Sequence, residues 1–114
     1  MPITTKTAEH YTWGQCCDAW YLAKTPELHV IQEHLPSGAG EKLHFHENAF
    51  QFFYVLAGKA RFLIDGRTVV VAGGESISVL PGLQHRVESA GPEELRLLVV
   101  SQPPSHGDRI DVEP

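Results

Sequence analysis

Turns rich in glycine and proline divide the middle of this chain into short β-prone runs, and this spacing constrains the fold more than any other feature. The runs cover residues 28–35, 51–56, 61–64, 68–71, 77–80 and 95–100. The dipeptide Asp65-Gly66 joins two of them and predicts a tight hairpin. Turns recur about every eight to twelve residues, and no helical period is visible. The sequence therefore predicts an all-β barrel or sandwich.

The length of 114 residues suits one small domain and is short for two. Hydrophobic residues make up 42% of the chain, which is enough for one core. We expect a single domain over residues 1–114, with a barrel core at about 25–102. The more polar segments before and after this core are expected to be N- and C-terminal arms.

Charge and hydropathy exclude several classes of partner. The formal net charge is −5, whereas binding to nucleic-acid phosphates normally needs a basic face, so no nucleic-acid partner is expected. No apolar run approaches the roughly 20 residues of a membrane helix, and the first residues lack a signal-peptide pattern. We therefore expect no membrane partner and a cytoplasmic location. The only two cysteines, Cys16 and Cys17, are adjacent, which favours reduced thiols.

Two histidines separated by one residue suggest half of a metal site. Residues two apart on a strand point to the same face, so His44 and His46 project together. Gln51 on the next run can face the same interior, whereas Glu47 has the opposite strand parity or lies in the connecting turn. Parity therefore favours Gln51 over Glu47 as a ligand. His85, delivered by a tight turn after Pro81-Gly82, is the candidate third histidine.

The other histidines are interpreted as ordinary surface or partly satisfied side chains. His29 and His34 have opposite parity within one run, so both cannot face the core. The same interpretation applies to His10 and His106.

The glycine and histidine spacings resemble the two motifs of the cupin superfamily. The first is Gly38-(x5)-His44-x-His46-(x4)-Gln51-(x6)-Gly58, and the second is Gly74-(x5)-Leu80-x-Gly82-(x2)-His85. This resemblance implies a small double-stranded β-helix (jelly-roll) barrel that holds a metal inside and forms a homodimer. The sequence departs from the cupin pattern at three positions. Gln51 stands in place of the usual Glu, Leu80 in place of the usual Pro, and Ser89 in place of the usual Asn.

A site made of His44, His46, Gln51 and His85 would leave a divalent metal its whole +2 charge, since all four side chains are neutral. Such a set suits Zn, Ni, Fe, Mn or Cu, and the sequence does not choose among them. It favours Lewis-acid chemistry on a small-molecule substrate, such as isomerisation or elimination on a sugar-like or carbonyl compound. Resemblance to cupins also leaves open a metal-dependent dioxygenase and a non-catalytic small-molecule binding or sensor protein. Tyr54 is the candidate base, as an alternative to a metal-activated water.

Overall fold

The computed structural model describes residues 1–112, which form an all-β structure. Residues 113–114 of the expected C-terminal arm lie outside the described residues. The strands in chain order are β1 (Glu9–Trp13), β2 (Cys17–Lys24), β3 (His29–Leu35), β4 (His44–His46), β5 (Phe50–Ala57), β6 (Lys59–Ile64), β7 (Arg67–Ala72), β8 (Ser76–Val79), β9 (His85–Ser89), β10 (Leu95–Gln102) and β11 (Arg109–Asp111).

The strands form two antiparallel sheets. One sheet has six strands in the order β1-β2-β3-β10-β5-β8, and the other has five in the order β11-β4-β9-β6-β7. The Asp65-Gly66 turn joins β6 to β7, and both of its residues have positive φ (49° and 81°), the conformation that a tight hairpin turn requires. The predicted all-β, double-stranded β-helix architecture is confirmed.

Alternating burial along the strands builds the core between the two sheets. In β10, the central strand of the larger sheet, every second residue from Leu95 to Ser101 is buried. Residues from both sheets meet there, and the rings of Phe53 and Phe62 pack edge to face with centroids 5.0 Å apart. The interior is therefore apolar over most of its volume, apart from a small set of buried polar side chains.

Parts of the segments expected to be arms form strands that pair with the sheets. β1 and β2 pair with each other, and β2 adds to β3 at one side of the six-stranded sheet. β11 pairs with β4, with Arg109 opposite His46 and Asp111 opposite His44. Sequence reasoning missed these strands because β1 and β11 are mostly exposed and carry no clear apolar alternation.

Within residues 1–112 there is no helix with the length and hydropathy that a membrane crossing requires. Both cysteines are free thiols, as expected, with Cys16 exposed and Cys17 buried. Burial raises the pKa of the Cys17 thiol to about 11, which keeps it protonated and unreactive.

Replacement of Leu97 by alanine tests the core between the sheets. Leu97 is fully buried on β10, so Leu97→Ala should lower the free energy of unfolding by about 2–5 kcal/mol. The matched control is Leu80→Ala, because Leu80 is 60% exposed and its truncation should change stability by less than about 0.5 kcal/mol. Urea denaturation of the two variants measures both values, and equal losses would contradict this assignment of the core.

Candidate metal centre

Three buried histidines meet on the inner face of the five-stranded sheet. His44 and His46 lie on β4, and His44 is paired directly with His85 across β4 and β9. Because His44 and His46 are two residues apart, all three imidazoles point into the barrel. One nitrogen of each ring lies within 4.8 Å of one nitrogen of each of the other two. The sequence prediction that these three residues come together is therefore reproduced in the structure.

Backbone carbonyl groups orient two of the rings. Nδ1 of His44 donates to the carbonyl oxygen of Lys42 at 2.7 Å, and Nδ1 of His85 donates to that of Leu83 at 3.0 Å. The carbonyl oxygen of Lys42 only accepts, so in neutral His44 the hydrogen is on Nδ1 and a lone pair is left on Nε2, and a neutral His85 that donates to Leu83 takes the same form. This is the tautomer that a metal-ligating histidine needs.

Burial keeps the three imidazoles neutral. It lowers the pKa of His44 to about 3 and that of His46 to about 4, and it also lowers the pKa of His85. The proximity of the rings adds to this effect, because a proton on His85 disfavours a proton on His44 or His46. In His46, the buried Nδ1 has no hydrogen-bond partner among the described residues. Near pH 7 the cluster thus presents lone pairs rather than charges.

Gln51 approaches this cluster from the opposite sheet. It is paired with Ser101 across β5 and β10, and its amide Nε2 donates to Oγ of Ser101 at 3.0 Å. That bond turns the amide oxygen toward His85, where Oε1 lies 3.1 Å from Nε2. Leu83 and Gln51 both present oxygen atoms that only accept, and a neutral His85 has a single ring hydrogen, so one of its two contacts is left without a donor. A cation beside Nε2 of His85 and Oε1 of Gln51 would satisfy both atoms, so the donor set fits a bound metal ion.

Comparison with known proteins assigns the family. The family described as Cupin domain matches residues 31–101, which include all four of these side chains. The chain belongs to the cupin family.

Relatives and solved structures agree with this assignment. The chain is 32% identical over 75 residues to an uncharacterized protein of Methanocaldococcus jannaschii, covering 65% of this chain and 60% of that protein. It is 33% identical over 66 residues to the oxalate-binding protein of Thermotoga maritima, covering 58% of this chain and 54% of that protein. The chain thus spans little more than half the length of the curated relatives that it matches. An RmlC-like cupin from Shewanella frigidimarina has the same fold, with a TM-score of 0.83, 22% identity and 92% of each chain covered.

Two of the residues considered from the sequence lie away from the cluster. Glu47 is exposed in the turn after β4, in agreement with its parity. Tyr54 has the opposite parity to Gln51 on β5 and is not among the residues that line the cavity beside the cluster. The structure therefore does not bring the candidate base Tyr54 to the site.

The cavity beside the cluster contains charged residues that sequence reasoning did not select. Its volume is about 340 Å³, which is enough for a small organic molecule. Glu33 from β3, Glu41 from the segment before β4 and Arg109 from β11 line it together with His44, His46 and Gln51. Strand parity could have found Glu33, because it lies two residues from both Ile31 and Leu35 and therefore shares the inward face of β3 with them. Arg109 could not have been found without recognising β11.

The two carboxyl groups in the cavity titrate far from their usual range. Burial and, to a smaller extent, the neighbouring charge of Glu41 raise the pKa of Glu33 to about 8, opposed by Arg109. Burial also raises the pKa of Glu41 to about 7, opposed by Arg109 and by the N–H of Val87, which donates to Oε1 at 3.2 Å. Glu33 forms no side-chain hydrogen bond or ion pair with residues 1–112. Its carboxyl group is therefore available to a ligand.

Aromatic side chains from four segments form a cluster at one end of the cavity, which Tyr11 and His106 line. Rings of Tyr11, Tyr21, His29 and His106 lie 5.1–6.0 Å apart, and the Tyr21 hydroxyl lies 2.8 Å from Nδ1 of His106. His29 is buried, which excludes the surface alternative of its interpretation and leaves that of a partly satisfied side chain. His106 is exposed as expected, but it also lines the cavity.

The carboxylate of Asp108 fastens the turn that follows His46. It accepts the backbone N–H groups of Glu47, Asn48 and Ala49 at 2.8–3.2 Å. Although partial burial acts in the opposite direction, these donors hold the pKa of Asp108 below its usual value. This single side chain therefore connects the turn beside His46 to the segment that carries His106 and Arg109 into the cavity wall.

Asp108→Asn tests this connection. An amide offers one uncharged oxygen in place of two charged ones, so the variant should lose about 1–2 kcal/mol of unfolding free energy. Asp65→Asn is the control, because Asp65 is exposed and has a positive φ that asparagine tolerates. Urea denaturation of both variants checks the difference, and an Asp108→Asn protein as stable as the control would show that the carboxylate contributes nothing here.

The raised pKa of Glu33 predicts how stability depends on pH in protein stripped of metal with EDTA. The folded protein retains a proton on Glu33 up to about pH 8, whereas the unfolded chain releases it near the ordinary value of 4.5. The contribution of Glu33 to the free energy of unfolding is complete below pH 4.5, and it is lost as the pH rises to 8. The Tm of the wild type should therefore fall more steeply between pH 5 and 9 than the Tm of Glu33→Gln.

Glu27→Gln, which alters an exposed residue in the turn between β2 and β3, is the control for this comparison and should follow the wild-type curve. Parallel curves for the wild type and Glu33→Gln would rule out a buried, protonated Glu33.

Proposed function

We propose that this cupin binds a divalent transition metal through His44, His46, His85 and Gln51 and acts on a small oxygenated molecule in the adjoining cavity. The observation that carries this proposal is the buried cluster of three neutral imidazoles with the Gln51 amide oxygen 3.1 Å from Nε2 of His85, next to a cavity of about 340 Å³. We propose isomerase- or lyase-type chemistry on a sugar-like or carbonyl compound. A bound divalent metal supplies a Lewis acid that polarises an oxygen atom of the substrate.

Glu33 is the candidate for proton transfer. It faces the cavity without a hydrogen-bond partner in the described chain, and its pKa of about 8 allows it to donate or accept a proton near neutral pH. Redox-neutral isomerisation and elimination both require a group that takes a proton from carbon or oxygen and returns it. A half-buried carboxyl group beside a polarised oxygen meets that requirement.

Arg109 and the aromatic end of the cavity would orient the substrate. The Arg109 guanidinium lines the cavity and offers donors to a carbonyl or carboxylate oxygen of the ligand. Tyr11 and His106 present flat faces against which a ring or a planar group can pack. These side chains restrict the substrate to a size near that of a monosaccharide.

Binding without catalysis is the second candidate function. It is supported by the 33% identity to the oxalate-binding protein of Thermotoga maritima. A site of neutral ligands around a divalent metal attracts an anion such as oxalate, and Arg109 adds a further positive charge. In this case the cavity would hold its ligand unchanged.

Metal content and a substrate screen test the proposal together. Purified wild-type protein should contain close to one transition-metal ion per chain by elemental analysis. His44→Ala and His85→Ala should each remove most of it, since each variant deletes one imidazole from a compact buried set. His10→Ala is the control and should retain the metal, because His10 is exposed on β1 and paired with Asp18.

The same proteins are then assayed with hydroxy-carbonyl compounds, monosaccharides and oxalate, with and without oxygen. Turnover that is equal in both conditions supports Lewis-acid chemistry, and turnover that requires oxygen supports the dioxygenase alternative. Retention of oxalate without turnover of any compound supports the binding function. Metal content that is unchanged in both histidine variants would contradict the proposed ligands.

The homodimer and the cytoplasmic location remain predictions. Exposed Val69 and Val70 on β7, an edge strand of the five-stranded sheet, support an apolar contact between two copies. Light scattering that gives the mass of a single chain would contradict the dimer.

A further inference from the structure

A carboxyl group lies beside the cluster although Gln51, the residue at the cupin glutamate position, is neutral. Oε2 of Glu41 is 3.9 Å from Nε2 of His44, and the side chain is only 15% exposed. Its other oxygen, Oε1, accepts the backbone N–H of Val87 on β9, the strand that carries His85. The carboxyl group is therefore held in place from the five-stranded sheet, with Oε2 left toward the cluster.

The two atoms that face each other here are both acceptors. Nδ1 of His44 donates to the carbonyl oxygen of Lys42, so Nε2 carries a lone pair. An ionised Glu41 also presents only lone pairs from Oε2. When His85 donates to Leu83, the same mismatch occurs between His85 and Gln51, and a positive ion near these atoms would be stabilised by both pairs.

Arg109 does not neutralise the carboxylate of Glu41. Its Nη1 is 4.0 Å from Oε2 of Glu41, at the limit of an ion pair. Its shorter contacts are elsewhere, since Nε donates to Oδ1 of Asp111 at 2.8 Å and Nη2 donates to the carbonyl of Lys42 at 3.5 Å. Oε2 of Glu41 accepts no hydrogen bond from residues 1–112, so its charge can act on an ion held by the cluster.

We propose that Glu41 supplies the negative charge for the metal site that Gln51 does not provide. The proposal rests on the metal site of the proposed function and concerns a residue outside its four ligands. Oε2 of Glu41 does not belong to the compact group formed by ring nitrogens of His44, His46 and His85, which lie within 4.8 Å of one another. Glu41 therefore acts through space and through His44, in the way that residues around a metal's direct ligands tune its affinity.

Zinc affinity, measured by competition with a chromophoric chelator, tests this role. Glu41→Gln keeps the size of the side chain and the acceptor for Val87, but it removes the charge. It should weaken Zn²⁺ binding by about 10- to 100-fold. Glu47→Gln is the matched control, because it removes a carboxylate close to His46 in sequence but at an exposed position where solvent screens the charge, and its effect should be several-fold smaller.

A double variant separates a charge effect from a structural one. In Glu41→Gln/Gln51→Glu the carboxylate is moved from one side of the cluster to the other, so zinc affinity should return to within about threefold of the wild type. A Co²⁺ titration that follows the visible absorption of the bound ion gives a second readout that needs no enzymatic activity. Glu41→Gln should require more Co²⁺ for saturation than the wild type.

Two outcomes would overturn the role of Glu41 and leave the metal site intact. In the first, the wild type and Glu41→Gln both bind zinc, and they do so with equal affinity. The second is a Glu41→Gln protein whose weakened binding is not restored by Gln51→Glu. A wild type that binds neither Zn²⁺ nor Co²⁺ would instead contradict the proposed function, and the inference on Glu41 with it.

Discussion

The contact between Nε2 of His85 and Oε1 of Gln51 is the constraint on which the site depends. Inside an apolar barrel, His85 has an accepting oxygen at each ring nitrogen, from Leu83 at 3.0 Å and from Gln51 at 3.1 Å, and its single hydrogen satisfies only one of them. Buried polar atoms without a complementary partner are costly, and burial holds the imidazole neutral. A metal ion bound here would offset this cost, because the side chains that surround the position are already ordered by the fold.

The two-sheet architecture brings these groups together and keeps them apart from solvent. Cross-strand pairing places His44 opposite His85 in one sheet and Gln51 opposite Ser101 in the other, so the site forms where the two inner faces meet. The same low-polarity surroundings raise the pKa of Glu33 and lower those of the histidines. One environment thus prepares neutral metal ligands and a carboxyl group that can exchange a proton.

Local patterns predicted the central strands and the cluster because both depend on regular spacing. Alternation placed His44 and His46 on one face, and the tight turn before His85 delivered the third ring. Most of the charged cavity wall was not predicted, because it depends on strands with weak patterns and on contacts between residues distant in sequence. Arg109 reaches the cavity through a three-residue exposed strand that pairs with β4. Tyr54 was chosen for its chemistry although its parity on β5 turns it away from Gln51.

An anomalous-difference map from crystals of the purified protein, collected at the absorption edge of the metal found by elemental analysis, is the most direct test of the metal site. We predict one strong peak bounded by the imidazoles of His44, His46 and His85, with the amide oxygen of Gln51 on its remaining side. The contradicting result is a map without a peak at this position, in which the Gln51 amide is rotated so that its nitrogen donates to His85.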